Sequence, residues 1–148
     1  MNKLIKSIIM SCCLISALLV STAASAENMK KMGKMNIHYM AIGATFFTPE
    51  IAKAYGIERS KYNGLVNISV LDNSKQGTPA KTVSITGTAR NLADQKKTLS
   101  FKEVREGDAI YYLAEVDYRN DETIRFDLTI TDGEETHQLE FSQKFYVD

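Results

Sequence analysis

The stretch TIRFDLTITDG (123–133) alternates without a break: Ile124, Phe126, Leu128 and Ile130 are apolar, Arg125, Asp127 and Thr129 polar. A period of two puts successive side chains on opposite faces and predicts a strand with one face in a core. The pattern recurs along the chain. GLVNISVLD sets Val66, Ile68 and Val70 against Asn67 and Ser69, and KTVSITGTARNL does the same with Val83, Ile85 and Ala89, with Gly87 as a plausible bulge point. Leu99 and Phe101 in KTLSFKEV, and Ile110, Tyr112, Ala114 and Val116 in AIYYLAEVDY, continue it, and HQLEFSQKFYVD returns Leu139, Phe141, Phe145 and Val147 to one face. MNIHYMAIGATFF (35–47) is apolar on both faces, which predicts a strand covered on both sides for part of its length. Turns are expected at Arg105–Asp108 and Arg119–Glu122. A hairpin is expected at Asp132-Gly133, with positive φ at both central positions.

About seven strands at a spacing of roughly 8–12 residues predict an all-β fold, an immunoglobulin- or fibronectin-like β-sandwich, with a closed barrel as the other architecture. An immunoglobulin domain in the strict sense would carry a core tryptophan and a disulfide; the chain has no Trp. One passage breaks the alternation. In TFFTPEIAKAYGIERSKYNG (45–64), Thr48 is a good N-cap, Pro49 suits the first helical position, Glu50 complements the helix dipole and Gly56 is a left-handed stop. A short helix near 49–55 follows. Ile51, Ala54 and Tyr55 share the face expected to cover an open end of the sandwich, with Ile57 folding back over Ile51. It is read as a corner carrying the chain from one sheet to the other.

The first residues change the picture of where the domain begins. Lys3 and Lys6 precede an apolar run from Ile8 to Val20, and Ala24-Ser25-Ala26 offers small side chains at the positions signal peptidase reads. Residues 1–26 are therefore expected to be a cleaved signal peptide, leaving 27–148 as a single periplasmic domain that does not span a membrane, with release from the cell as a further outlet. Cys12 and Cys13 both fall in the leader and have too little apolar sequence ahead of them for a lipoprotein anchor. The processed chain would have no cysteine, which removes disulfides, thiolate nucleophiles and Cys-based zinc sites. With Lys3 and Lys6 gone, 16 of the 18 basic side chains remain against 18 acidic ones, a formal charge of −2. Nucleic acid, which demands clustered Lys and Arg, is not an expected partner.

IHYMAIGATFFTPEIAKAYGIERSKYNGLVNISVL, FKEVREGDAIYYLAEV and the terminal FSQKFYVD resemble a family of small exported proteobacterial proteins catalogued as a domain of unknown function, DUF 4426. The resemblance runs from about Met32 to Asp148. It implies an exported, all-β single domain and apolar filler roles for Met32 and Met35; it implies no reaction and no catalytic or binding residue.

Candidate chemistry then rests on the residues alone. Met29, Met32 and Met35 are spaced three apart and precede His38 and Met40. Thioethers and imidazole suit Cu(I), although a strand would turn Met35 and His38 to opposite faces, and methionine is ordinary core filler. His38 and His137 are the only histidines, and no G-x-S-x-G elbow accompanies them. His38 reads as a core or rim residue, His137 as solvated. Eighteen acidic residues allow many carboxylate pairs and single out none. DYRNDE (117–122) lacks the order of a calcium loop and reads as a polar turn, and Gly64, Gly77 and Gly87 stand outside any phosphate-binding fingerprint. No catalytic residue and no cofactor is expected. Tyr55, Arg59, Lys61 and Tyr62 join aromatic surface to cationic donors, the residue types enriched at interaction hot spots. The expectation is a non-catalytic binding or accessory module for a protein, peptide or glycan of the cell envelope. A Cu(I)-handling protein using Met29, Met32, Met35 and His38, and a hydrolase with a carboxylate site, are the alternatives.

Overall fold

A computed structural model describes residues 28–147; the expected signal peptide, with Ala24 and Ala26, lies outside them. Nine strands form among the described residues: β1 (Asn28–Met32), β2 (Met35–Gly43), β3 (Asn63–Asp72), β4 (Ser84–Asn91), β5 (Lys96–Leu99), β6 (Lys102–Glu106), β7 (Ala109–Asp117), β8 (Glu122–Thr131) and β9 (Thr136–Phe145). They make two antiparallel sheets, one ordered β1-β2-β3-β7-β6 and the other β5-β4-β8-β9. Both sheets keep open edges, so the architecture is the sandwich and not the closed barrel. None of the helices among the described residues is long and apolar enough to cross a membrane.

Nine strands replace the expected seven for two reasons. Residues 28–32 add an edge strand whose hydrogen bonds come from β2. KTLSFKEV is not one strand: β5 pairs with β4 in one sheet, β6 with β7 in the other, and Ser100-Phe101 crosses between them. The strand begun at Met35 also ends early, at Gly43, where a single 3-10 turn (Ala44–Phe46) takes over.

The alternation maps onto the core as expected. Ile124, Phe126, Leu128 and Ile130 are buried together with Val66, Ile68, Val70, Tyr112, Leu139 and Phe145. Ring contacts tie the layers, Tyr39 tilted against Phe141 at 4.7 Å and Tyr118 stacked on Phe145 at 4.4 Å between centroids. A polar strap adds to them. Lys81, in the β3–β4 crossover, lies 2.6 Å from Asp132 of the β8–β9 turn and 3.7 Å from Asp72 at the end of β3. Asp132 also accepts the backbone N–H groups of Glu134 and Glu135, and the Glu135 N–H first, then Lys81 and the Glu134 N–H, hold its carboxyl far below the usual range. That turn is wider than the two-residue hairpin expected. It runs over Asp132–Glu135, and of its two central expectations only Gly133 has positive φ, at 91°.

The helix α1 (Pro49–Tyr55) forms with the expected caps. Thr48 accepts the Ile51 N–H at 3.3 Å, and Gly56 adopts φ 67° and ψ 35°, a conformation glycine reaches without strain. Its place and face differ from expectation. β2 and β3, which it connects, are hydrogen-bonded neighbours in one sheet, so it is not a crossing between sheets. Ala52 and Ile57, not Ile51 and Ala54, are its buried contacts; with Ala44 and Leu65 they form a second small core that Phe47, Tyr55 and Leu113 flank. Leu65 and Leu113 alternate with inward residues of β3 and β7, so α1 covers the outer face of the five-stranded sheet. Gly87 makes no bulge: it stays in register with Leu99 and Leu128.

Candidate functional site

At the end of the sandwich where β2 and β9 finish and β3 begins, large apolar side chains are left in water. Phe46 is 70% exposed, Tyr146 57% and Tyr62 50%. Folding normally retires such surface, and aromatic side chains left out together mark interaction surface. Each is held there for a local reason. Phe46 ends the 3-10 turn, whose Ala44 is fully buried and fixes the turn's other side. Tyr146 follows Phe145, and the alternation that buries Phe145 turns Tyr146 out. Tyr62 precedes the buried Asn63, and its carbonyl accepts the Tyr118 N–H at 2.8 Å.

Phe46 and Tyr146 line an open cleft of about 400 Å³ together with Lys61, Lys144, Tyr118 and Phe145. Its floor is the stacked pair Tyr118–Phe145, with planes 17° apart. Gly43 makes room for that floor, since a Cβ there would sit 2.9 Å from the Tyr118 hydroxyl. The lysines stand over neighbouring rings, Lys61 5.2 Å from the Tyr62 centroid and Lys144 5.3 Å from that of Tyr146. Lys144 also pairs with Asp121 at 2.8 Å, and hydrogen bonds to Asp121 and then Tyr146 raise its pKa, so it stays charged. Among the described residues, none that lines the cleft is a carboxylate. An aromatic floor, two aromatic walls and two cations suit a ligand with flat apolar surface and acidic or hydroxyl groups.

A larger cleft of about 530 Å³ opens on the other side of Tyr118, lined by charges of both signs: Arg90, Lys96, Lys97 and Arg119 with Asp117 and Glu122. Lys97 pairs with Asp117 at 2.9 Å, and Glu122 accepts from the Arg119 N–H at 2.7 Å and the Asn91 amide at 2.9 Å.

The four binding residues expected from sequence do not form one patch. Lys61 lines the aromatic cleft, and Tyr62, exposed next to it in the chain, is outside the lining. Arg59 stands behind it, donating to the carbonyls of Phe47 at 2.8 Å and Thr45 at 3.4 Å, and so ties down the turn that presents Phe46. Tyr55 is on the outer sheet face, where its hydroxyl donates to Glu106 at 2.9 Å; that bond raises its pKa. Phe46, Tyr118, Lys144 and Tyr146 were absent from that set, although the outward phase of Tyr146 in KFYVD was readable.

The expected metal ligands also divide. Met35 is fully buried and Met32 packs against the core, whereas Met29 and His38 lie on the outer face. His137 is half-buried rather than solvated, with Nε2 3.4 Å from Glu135. Among the described residues no three His, Cys, Asp or Glu side chains gather as metal ligands. Four carboxyl groups among the described residues are clearly shifted, and all are lowered, each first by a hydrogen bond: Glu50 from its own backbone, Asp72 from Ser74, Glu103 from Arg105 and Asp132 from the Glu135 N–H. Paired-carboxylate hydrolysis uses an acid with a raised pKa, a role none of these four fits.

The fold and cleft can be set beside known proteins. A family model described as "Domain of unknown function (DUF4426)" matches residues 29–148. A DUF4426 family protein of Pseudomonas aeruginosa PAO1 is 28% identical in sequence, with a TM-score of 0.71 over 82% of this chain and 96% of that one. FetP of uropathogenic Escherichia coli strain F11, in a copper-bound variant, shares the fold at 13% identity and a TM-score of 0.57, covering 81% of this chain and 95% of that chain. The same protein as isolated gives 12% identity and a TM-score of 0.55, over 80% and 93%. No curated protein matches the sequence.

Proposed function

The chain belongs to the DUF4426 family, whose description assigns no activity, and from its own side chains we propose that it is an exported, periplasmic, non-catalytic binding module whose aromatic–lysine cleft holds a cell-envelope partner. The observation that carries this reading is the exposure of Phe46 and Tyr146 on a cleft that two lysines also line and that has, among the described residues, no carboxylate in its lining. Lysine heads over aromatic rings favour an acidic or hydroxyl-rich segment, whether of a protein, a peptide or a glycan. The rings supply the apolar contact area, and the rigid Tyr118–Phe145 floor lowers the ordering cost of binding.

Capture from an envelope extract tests it. The wild-type chain and a Phe46→Ala/Tyr146→Ala double variant are immobilised side by side, and bound material is compared. Both substitutions are at exposed positions where stability changes by only about 0.5 kcal/mol, so the fold is kept. Loss of a captured component from the variant supports the reading; equal capture by both refutes it.

A further inference from the structure

The β1–β2 hairpin assembles a second group of side chains that shares no residue with the cleft. Its register sets Met29 directly opposite His38, and Met32 opposite Met35. Directly opposed residues of an antiparallel pair share a face, and so does a residue two further along. Met29, His38 and Met40 therefore lie on one face. It is the outer one, because Met35 and Ile37, of the opposite phase, are fully buried between the sheets. Opposed Cβ atoms are about 4.5–5.5 Å apart and diagonal ones about 7–8 Å, within reach of long side chains. Two flexible thioethers can thus close on one imidazole.

The surroundings fit a ligand there. On β3, Ser69 stands opposite His38 and Asn67 opposite Met40. With Tyr111 they line a shallow cavity of about 310 Å³ that has, among the described residues, no carboxylate in its lining. Asn67 Oδ1 is buried without a hydrogen-bond partner. A buried acceptor in that state is where an ion or a water is expected.

We infer that Met29, His38 and Met40 form a binding site for a soft monovalent cation, Cu(I) or its redox-inert analogue Ag(I). Thioether sulfur and neutral imidazole are soft, uncharged ligands, which favour these ions over Zn²⁺, Ca²⁺ or Mg²⁺. Three neutral ligands leave a single positive charge on the complex, which a half-exposed surface accommodates. A dication would call for carboxylates, which none of the described residues lining this cavity supplies, and would meet Lys31, which the register puts on the same face of β1.

The test uses protein exported to and purified from the periplasm, with Cys12→Ser and Cys13→Ser so that any retained leader contributes no thiolate. Cu(I) held by a chromophoric chelator of known affinity is titrated with this protein and with Met29→Leu, Met40→Leu and Met32→Leu variants. Leucine conserves volume closely enough to keep the fold, which far-UV circular dichroism verifies. The expected result is competition for one Cu(I) per chain. Met29→Leu and Met40→Leu should each weaken it by about tenfold or more, a loss that second-sphere changes alone can produce, and Met32→Leu should leave it unchanged. Ag(I) titration of methyl-labelled protein should move the Met29 and Met40 signals but not those of Met32 and Met35. Absence of competition overturns the inference, as does competition that survives both outer-face substitutions or falls equally with Met32→Leu.

Discussion

Adding one methyl group at Gly87 probes the central pairing of the four-stranded sheet. Gly87 lies opposite Leu128 on β8 and Leu99 on β5. A Cβ built there collides with the Leu128 side chain and comes 2.6 Å from the Asp127 carbonyl oxygen. Overpacking of this kind costs about 1–3 kcal/mol. Because one obstacle is backbone, which gives less than a side-chain end, the upper half of that range applies. Against it, alanine narrows the unfolded ensemble and returns about 0.4–1 kcal/mol. The clash wins, and Gly87→Ala should destabilise by about 1–2.5 kcal/mol, lowering Tm by roughly 4–10 °C for a domain of this size. Thermal and urea unfolding followed by circular dichroism measures both quantities. A Leu128→Ala background separates the obstacles: Gly87→Ala should remain destabilising there, since the Asp127 oxygen is still in the way. A neutral or stabilising Gly87→Ala in the parent chain would refute the β4–β8 register.

Other consequences follow from the polar contacts. Asp132, Asp72 and Glu103 have lowered pKa values, so they bind protons less readily folded than unfolded. Their contribution is fully present above the ordinary carboxylate range near about pH 4 and is lost as pH falls below it. Urea midpoints should be level from neutral pH down to that range and then drop, with a shallower drop in Asp132→Asn; an identical acid slope in the variant would contradict this. Tyr112 accepts the buried Val83 N–H at 2.9 Å, so Tyr112→Phe should cost about 1–3 kcal/mol by leaving that donor unpaired, and an unchanged urea midpoint would count against it. Arg59→Ala should release the carbonyls of Thr45 and Phe47 and speed amide exchange in residues 44–47 while leaving β3 protected; unchanged exchange would remove Arg59 from that positioning role.

Much of the sandwich was legible because a strand's period of two translates directly into a sheet face. β8 shows this best, with Ile124, Phe126, Leu128 and Ile130 all buried and Arg125 and Asp127 exposed. The ends of α1 were legible too, since Thr48 acts through its own side-chain cap and Pro49 and Gly56 through their own backbone geometry. Its buried face was not. A seven-residue helix is too short to define a stripe, and Leu65 and Leu113 beneath it selected Ala52 over Ile51. The split of KTLSFKEV had no glycine or proline to announce it, and β1 exists because β2 offers it an edge. The cleft was hidden for another reason. Phe46, Lys61 and Tyr146 are distant in sequence, and only the closing of β9 beside the end of β2 gathers them. The same holds for Met29 and His38, which the hairpin at Gly33 makes neighbours while parting both from Met35.

Site-specific photo-cross-linking in living cells tests the cleft most directly. A photoreactive phenylalanine analogue replaces Phe46 at the rim or, as a control, Glu134 in the β8–β9 turn, which is exposed and absent from the cleft lining. A discrete adduct at position 46 that disappears when Tyr146 and Lys61 are changed to alanine, with none at 134, is the predicted result. No adduct at 46, or the same adduct from both positions, would contradict a binding role for the cleft.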